Sequence, residues 1–460
     1  MEKNSNFMSM DIENVKKSLK DRKLRICVIG IGRIGLPTAL SIANSGLPTI
    51  GLDINPELVK NVNSGNFPLK DEPGYEEIFY KVLEQNLLKA TIDIDEAIQN
   101  SNVILLSLPT PMDNHNIPDY SALISVGTQL NQLINPNSLI IVESTVEPGF
   151  IENELLPVIE GSNRILKAGV DFKIGACPET ANPGEILKDF TTLPRLVGSI
   201  DDETTLMIMS IYQHIFPVEL IKMPNCKTAN AVKLTTNVFR DLNIAFVNEL
   251  ALLFEKLGID IIQVLNAAKK KYNFQAHYPG AGVGGPCLPV NSYQILNSAK
   301  KQNPDLLNII EIGRKINEKM PSHVVNLTMD AFQEAQISIE NKEILILGAS
   351  YKPNVKDVQL SPVKDIVESL HQKGAKIKIY DPYFKNKTTF GILCENELLD
   401  ALKTSDAVII ATAHNEFLNI EPEYFVSNLK TSIVIDSRGI MDPISAKKSG
   451  LIFRGIGRGN

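Results

Sequence analysis

Short runs of apolar and β-branched residues alternate along the chain with longer stretches of helical spacing. The first run, at residues 24–29, leads through a glycine turn into a helical stretch, and a second run follows at 48–53. Unbroken apolar runs of this length are typical of strands that are buried on both faces of a parallel sheet. Later runs at 102–111, 138–149 and 172–179 continue the pattern. This order predicts a doubly wound α/β domain at residues 23–222.

The same alternation returns near the C-terminus. Apolar runs at 343–348, 376–382, 406–414 and 432–439 are separated by segments of helical length. They predict a second Rossmann-like domain at residues 331–460, and this domain has no G-x-G-x-x-G turn of its own.

A central region is predicted at residues 223–330, and it contains the longest helical pattern, at 228–257. This pattern is apolar over much of its circumference, which indicates a spine buried between domains or subunits. Lys233 and Asn237 are four residues apart and share one face of it. A polar leader at residues 1–22 precedes the first strand. The predicted fold is therefore α/β, with two Rossmann-like doubly wound domains joined by a long central helix.

The first glycine turn has the spacing of a dinucleotide-binding turn. It carries candidate cofactor-binding residues Gly30, Gly32, Arg33, Ile34 and Gly35 between a predicted strand and a predicted helix. Glycines allow the backbone to approach a pyrophosphate, and the helix N-terminus presents N–H groups to its charge. Asp53 stands 18 positions after Gly35, where a carboxylate can accept hydrogen bonds from both ribose hydroxyls and repel a 2′-phosphate. The pattern favours NAD over NADP.

Small polar or acidic residues end the next three predicted strands. They are Thr110, Ser144, Thr145 and Glu179. Ligands collect at the carboxyl ends of parallel strands, so these side chains are expected to converge on one crevice. The alternative is that each one only caps the helix that follows it.

Charge and composition narrow the function classes. The chain has 53 acidic and 46 basic residues, and a formal net charge of −7 disfavours nucleic acid as a partner. No apolar run approaches the roughly 18 residues that a membrane span requires, so no membrane partner is expected. The N-terminus is charged and lacks the apolar core of a secretory signal, which predicts a cytoplasmic protein.

The five cysteines are widely spaced and contain no C-x-x-C pair, so neither a disulfide framework nor a metal site is expected. Four of them are predicted to be small buried side chains. Cys287 differs because it lies in a glycine- and proline-rich turn at 279–289, which cannot form a regular helix or strand.

These motifs in this order resemble the UDP-glucose/GDP-mannose dehydrogenase family, from the first strand to about residue 440. The resemblance is carried by GIGRIGLP, DEPG, LPTP, ESTVEPG, CPE, the helix with Lys233 and Asn237, GGPCLP, ASYKPN and DSRG. The run NVFRDLNIAFVNEL resembles the branch that oxidises UDP-N-acetylhexosamines, especially UDP-N-acetyl-D-mannosamine. UDP-glucose is the alternative substrate.

The resemblance implies a four-electron oxidation of the sugar C6 hydroxyl to a carboxylate, with two NAD⁺ reduced per sugar. It assigns Cys287 as the nucleophile, Lys233 and Asn237 as oxyanion donors, Thr145 as a water-positioning residue and Glu179 as the base that activates this water. Asn291 occupies the position of a catalytic aspartate. The implied substrate-binding residues are Glu179, Lys233, Asn237, Gly284, Gly285, Tyr351, Lys352 and Arg438. A homodimer or larger homo-oligomer is also implied.

The chain departs from the family pattern at several positions. Asn291 replaces the usual aspartate, Gln359 replaces an arginine, and Pro286 replaces a histidine or tyrosine. The family usually has an arginine near position 273, and this chain has none there. Lys270 and Lys271 are the nearest replacements, and each offers a point charge where an arginine would offer a planar fork of donors.

Two other hypotheses stay open. A two-electron hydroxy-acid dehydrogenase with Lys233 as its base would leave GGPCLP and residues 341–440 without a role. A catalytically weakened sensor of NAD or of a nucleotide-sugar is suggested by Asn291 and Gln359.

Overall fold

The computed structural model describes residues 7–161 and 164–459. The chain forms two compact units. Unit 1 consists of Met1–Thr236 and Tyr293–Gln302, and unit 2 of Asn237–Ser292 and Asn303–Asn460. Two helices, α10 (Cys226–Leu257) and α12 (Leu288–Gln302), contribute residues to both units. The long helix predicted at 228–257 is therefore confirmed.

Unit 1 contains an eight-stranded sheet, counted over its described residues, with helices packed against it. Its strands are β1 (Ile26–Ile29), β2 (Thr49–Leu52), β3 (Leu88–Thr91), β4 (Val103–Leu106), β5 (Leu139–Val142), β6 (Lys173–Ala176), β7 (Arg195–Ser199) and β8 (Leu220–Lys222). Its helices are α1 (Ile12–Lys20), α2 (Gly35–Asn44), α3 (Pro56–Asn63), α4 (Tyr75–Glu84), α5 (Ile94–Gln99), α6 (Ser121–Leu133), α7 (Leu156–Glu160), α8 (Ile186–Thr192) and α9 (Asp202–Ile215), and a π-helical turn at Ile151–Leu155 precedes α7.

The sheet of unit 1 has the strand order β3-β2-β1-β4-β5-β6-β7-β8. The first six strands are parallel, β7 runs antiparallel to β6, and β8 is parallel to β7. The central strands are buried on both faces, which explains their unbroken apolar sequences. Because the strand order reverses between β1 and β4, the carboxyl ends of these two strands border the crevice in which doubly wound sheets bind ligands.

Unit 2 contains a five-stranded parallel sheet in the order β10-β9-β13-β14-β15, together with a β11–β12 hairpin. Its strands are β9 (Glu343–Leu347), β10 (Lys376–Tyr380), β11 (Thr388–Thr389), β12 (Ile392–Leu393), β13 (Ala407–Ile410), β14 (Ile433–Asp436) and β15 (Ile452–Gly455). Its helices are α11 (Ile261–Ala268), α13 (Asn308–Glu334), α14 (Val363–Gln372), α15 (Leu398–Thr404), α16 (Pro422–Asn428) and α17 (Pro443–Lys448), with a 3₁₀ turn at Asn415–Phe417. The predicted pair of Rossmann-like units is confirmed.

Helix α10 is buried on one side only within unit 2. Val247 and Ala251 lie in the core of this unit, whereas Phe239, Phe246 and Leu253 are each about half exposed. In the parts of the chain that are described, no helix combines the length and the apolar character needed to cross a bilayer.

Candidate active site

The glycine turn after β1 packs tightly at two positions and is open at a third. Gly30 has a φ of +88°, and a Cβ there would lie 2.5 Å from the Ser107 carbonyl oxygen. A Cβ on Gly35 would lie 1.8 Å from the Gly30 carbonyl oxygen. A Cβ on Gly32 would have no atom within 4 Å, and this residue is exposed. The turn therefore leaves an open approach to the backbone at Gly32, and this fits a bound pyrophosphate.

Asp53 lies beside this turn, at the end of β2. Its Oδ2 accepts a hydrogen bond from the Ile31 amide at 3.0 Å, and its Oδ1 accepts one from the Asn55 amide at 2.9 Å. A carboxylate held here suits the ribose hydroxyls of NAD and repels a 2′-phosphate.

Arg33 connects the same turn to the acidic segment at 71–72. Its Nη2 lies 2.6 Å from Asp71 Oδ2, and its Nη1 lies 2.8 Å from Glu72 Oε1. Burial acts to lower the pKa of Arg33, but the hydrogen bonds and charges of the two carboxylates outweigh it and raise that pKa. The neighbouring Ile34 is half-buried against the core. Arg33 thus holds the shape of the turn through these two carboxylates.

Three predicted hydroxyl residues join the segments that follow β4 and β5. Ser144 Oγ accepts from the Leu108 amide and donates to the Leu108 carbonyl, both at 2.8 Å. Thr110 Oγ1 donates to the Thr145 carbonyl oxygen at 2.9 Å, and Gln294 Nε2 donates to the same oxygen at 3.0 Å. The structure therefore brings Thr110, Ser144 and Thr145 together at one edge of the sheet.

Glu179 and Lys233 are the other predicted site residues of unit 1, and both are buried. Glu179 follows β6, and its Oε2 accepts a hydrogen bond from the Ala181 amide at 2.7 Å. Its Oε1 lies 3.6 Å from Arg195 Nη2. Lys233 lies in the first half of α10.

Cys287 is exposed and immediately precedes α12, whereas the other four cysteines are buried. Burial raises the pKa of the Cys177 and Cys226 thiols to about 12, so these two stay protonated at neutral pH. The Asn291 amide donates to the Cys287 carbonyl at 2.8 Å, and Asn237 Nδ2 donates to Asn291 Oδ1 at 2.5 Å. The prediction that Cys287 differs from the other four thiols is confirmed.

The glycine-rich turn that carries Cys287 packs closely on residues that follow β9. Gly285 has a φ of +88° and donates its amide to the Gln359 carbonyl at 3.0 Å. A Cβ on Gly285 would lie 2.6 Å from the Tyr351 ring, and one on Gly284 would lie 2.4 Å from the Leu360 carbonyl oxygen. Lys352 follows Tyr351 and is half-buried. Glycine is needed at both positions because no side chain fits.

Arg438 follows β14 in the same unit. A Cβ on Gly280 would lie 2.3 Å from Arg438 Nη1, so the guanidinium lies against the glycine-rich turn. Burial lowers the pKa of Arg438, and its Nε is a buried donor with no hydrogen-bond partner among the described residues. A guanidinium in this setting suits a phosphate or carboxylate oxygen.

A glycine turn that fits a pyrophosphate lies at the switch point of one Rossmann-like unit, and an arginine lies at a strand end of the other; the two features are typical of a protein with two nucleotide-binding units. The chain belongs to the UDP-glucose/GDP-mannose dehydrogenase family. Residues 24–216 match the NAD-binding domain of this family, residues 227–319 match its central domain, and residues 345–443 match its UDP-binding domain.

Similar proteins and a similar solved structure support the same family assignment. A UDP-N-acetyl-D-mannosamine dehydrogenase of Pyrococcus horikoshii is 35% identical over 439 residues, which are 95% of this chain and 100% of that protein. A UDP-N-acetyl-D-glucosamine 6-dehydrogenase of Pseudomonas aeruginosa is 30% identical and aligns over 87% of this chain and 93% of its own. A solved UDP-N-acetyl-D-mannosamine dehydrogenase structure from P. horikoshii superposes with a TM-score of 0.87 at 33% identity, covering 95% of this chain and 100% of that one.

The predicted family, the use of NAD and the class of enzyme are thereby confirmed: the protein is an NAD-dependent nucleotide-sugar dehydrogenase. The predicted boundaries of the leader and of the three domains, and the roles of individual residues, stay predictions.

Sequence reasoning missed buried charged clusters in both units. In unit 1, Arg195 lies between Glu143 and Glu179. In unit 2, Asp241 accepts from Arg314 Nη1 at 2.9 Å and from Ser292 Oγ at 2.7 Å. A charged residue inside an apolar run was the sequence signal that could have indicated each cluster. The partner of that residue lies in a distant part of the sequence, so the pairing itself could not be read from the local pattern.

Proposed function

We propose that the protein oxidises the C6 hydroxyl of a UDP-N-acetylhexosamine to a carboxylate, with UDP-N-acetyl-D-mannosamine as the preferred substrate. The single observation that carries the proposal is the exposed Cys287 thiol at the start of α12, on a glycine turn, in a chain whose relatives are named for these sugars. UDP-glucose is the alternative substrate.

Cys287 allows the oxidation to continue beyond the aldehyde. NAD, when bound, supplies the hydride acceptor for both oxidations. The Cys287 sulfur adds to the aldehyde carbon and forms a thiohemiacetal, from which a second hydride can leave to give a thioester. Water then adds to the thioester carbon, the C–S bond breaks, and the acid and the Cys287 thiolate are released.

Polar side chains are proposed to stabilise the oxyanion of these intermediates. Lys233 and Asn237 donate to it, and the hydrogen bond from Asn237 to Asn291 fixes the direction of the Asn237 amide. Each oxyanion donor of this kind contributes about 3 kcal/mol to transition-state stabilisation. Thr145 positions the hydrolytic water, and Glu179 takes its proton.

The nucleotide-sugar is proposed to bind on unit 2. The proposal rests on the match to the UDP-binding domain of the family and on the half-buried Arg438 that follows β14. Tyr351 and Lys352 follow β9, and Gly284 and Gly285 pack on this segment. Arg438 lies against Gly280 of the same glycine-rich turn.

The test measures NADH formed by the purified protein with UDP-N-acetylhexosamines, UDP-glucose and GDP-mannose. We expect two NADH per molecule of UDP-N-acetyl-D-mannosamine consumed. Two NADH per UDP-glucose alone would establish the alternative substrate. A protein that is inactive with every sugar, but becomes active in Asn291→Asp, would favour the sensor hypothesis instead.

The covalent role of Cys287 is tested by Cys287→Ala, with Cys394→Ala as the control because Cys394 is a buried thiol. We expect Cys287→Ala to bind NAD normally and to form no sugar acid, whereas the control keeps its turnover. Full acid formation by Cys287→Ala would rule out the thioester route.

A homodimer is also part of the proposal. Phe239, Phe246 and Leu253 are spaced seven residues apart on α10, so they form one exposed apolar stripe, and we propose that a second copy of the chain covers it. The cytoplasmic location stays a prediction.

A further inference from the structure

The strand ends of unit 2 repeat an arrangement that is found in unit 1. In unit 1, Gly30 directly follows β1 with a φ of +88°, and Asp53 directly follows β2. In unit 2, Gly348 directly follows β9 with the same φ of +88°, and Asp381 directly follows β10. The strand order reverses at β9 as it does at β1. Asp381 therefore stands where a dinucleotide-binding unit places the carboxylate for its ribose.

The carboxylates of Asp53 and Asp381 accept equivalent backbone hydrogen bonds but differ in what covers them. Each accepts one bond from the second residue after the neighbouring strand and one from the second residue after itself. Asp53 is half-buried beside the open glycine turn, whereas Asp381 is fully buried, and its Oδ2 lies 3.1 Å from His414 Nε2. In unit 2, His414 therefore fills the position that a ribose takes beside such a carboxylate.

His414 uses both of its ring nitrogens. Its Nδ1 accepts a hydrogen bond at 3.0 Å from the amide of Asn354, in the segment at residues 349–357 that follows β9. A backbone amide can only donate, so the ring hydrogen is on Nε2, which donates to Asp381 Oδ2. His414 is fully buried, so both hydrogen bonds are shielded from water. The histidine thereby ties the segment 349–357 to the carboxylate.

Two anchors flank Tyr351 and Lys352, which are proposed to bind the substrate. Before them, the Ser350 amide donates to the same carboxylate oxygen at 3.2 Å. After them, the Asn354 amide donates to His414, which is itself bonded to this oxygen. The backbone that carries Tyr351 and Lys352 is therefore fixed on both sides through one buried carboxylate.

Asn354 is also held through its side chain. It has a φ of +60°, a left-handed conformation that asparagine tolerates, and its side chain exchanges two hydrogen bonds of 3.0 Å with Asn415. Asn415 directly follows His414, so one stretch of chain after β13 holds Asn354 by its amide and by its side chain. Removing the His414 ring would break the amide contact and leave the side-chain contact in place.

We propose that His414 is a positioning residue for the UDP part of the substrate: it closes the ribose position beside Asp381 and holds the segment 349–357, so that Tyr351 and Lys352 are presented to UDP on unit 2. A loop that is already held in its binding conformation loses less conformational entropy when the ligand binds. The inference rests on the proposed function, because it requires UDP to bind to this segment.

The test measures the affinity of the purified protein for UDP by isothermal titration calorimetry. His414→Ala removes the contact to the Asn354 amide, and we expect UDP to bind about tenfold more weakly, since one buried hydrogen bond that orders the loop is lost. The affinity for NAD should be unchanged, because the NAD-binding domain is in unit 1. The wild type should bind one NAD per chain.

Two conservative variants separate positioning from folding, and they keep the test decisive if His414→Ala does not fold. His414→Asn retains an acceptor near the Nδ1 position for the Asn354 amide and should bind UDP within about twofold of the wild type. His414→Gln retains a donor near the Nε2 position but offers Asn354 no acceptor, so it should bind UDP as weakly as His414→Ala. Each variant loses one of the two hydrogen bonds, so both should have lower thermal stability.

His323→Ala is the matched control. His323 Nε2 lies 2.9 Å from Glu255 Oε1 in the same unit, so this variant also removes a histidine that is paired with a carboxylate. It should lower thermal stability and leave the affinity for UDP unchanged.

Three results would overturn the inference in a wild type that binds UDP. The first is an unchanged affinity for UDP in His414→Gln. The second is an equal loss of affinity in His414→Asn and His414→Gln, which would indicate a purely structural role. The third is a second NAD bound per chain, which would show that the carboxylate of unit 2 is open to a ribose. Failure of the proposed function is a separate result, because the wild type itself would then bind no UDP, and the inference would fail with it.

Discussion

Two glycines of one turn, three residues apart, meet very different surroundings. Gly35 begins α2, and a Cβ there would collide with the Gly30 carbonyl at 1.8 Å, so the turn cannot close around a side chain. Gly32 is exposed, and its missing Cβ would touch nothing within 4 Å. One glycine is therefore needed for the fold, and the other for the ligand that approaches the turn.

This difference predicts separable effects of two alanine substitutions. Gly32→Ala should raise the KM for NAD by about tenfold, which corresponds to 1.4 kcal/mol, with no change in thermal stability, since the methyl group meets only the cofactor. Gly35→Ala should destabilise the protein by about 3 kcal/mol through overpacking. NADH kinetics and thermal unfolding of both variants test this. Equal destabilisation by both, or an unchanged KM in Gly32→Ala, would contradict it.

At the scale of elements, the local sequence predicted where several strands lie. It did not predict which strands are neighbours in the sheet or in which direction they run. The runs at 24–29, 102–111 and 138–149 correspond to β1, β4 and β5, since a strand buried on both faces must be apolar along its whole length. The direction of β7 was not predictable, because the order of strands in a sheet depends on contacts between distant segments. The buried position of Arg195 follows from that direction and was missed with it.

The buried carboxyl group of Glu143, which directly follows β5, predicts how the free energy of unfolding varies with pH. Burial raises the pKa of Glu143 from 4.5 to about 7, so the folded protein keeps a proton that the unfolded chain loses between these pH values. The resulting stabilisation is complete below about pH 4.5 and is lost as the pH rises through 7, and it amounts to a value on the order of 3 kcal/mol.

Glu143→Gln cannot ionise and should not show this loss. Its free energy of unfolding, relative to the wild type, should therefore rise by about 3 kcal/mol between pH 4.5 and pH 8, as measured by urea unfolding. Glu84→Gln serves as the control, because Glu84 is exposed on the surface of α4. A constant difference between Glu143→Gln and the wild type across this range would show that Glu143 titrates as an ordinary carboxyl.

At the scale of the whole molecule, the stripe of Phe239, Phe246 and Leu253 gives the final prediction. All three are about half exposed on α10, where the sequence pattern had indicated a helix buried between domains or subunits. Phe246→Lys places a charge in the middle of the stripe and should convert a dimer to a monomer in analytical ultracentrifugation, since a charge at the buried centre of an interface is strongly unfavourable. Ile444→Lys changes an exposed apolar residue of α17 in the same way and should leave the dimer intact. A wild-type chain that sediments as a monomer, or a Phe246→Lys variant that remains dimeric, would show that this stripe is not the interface.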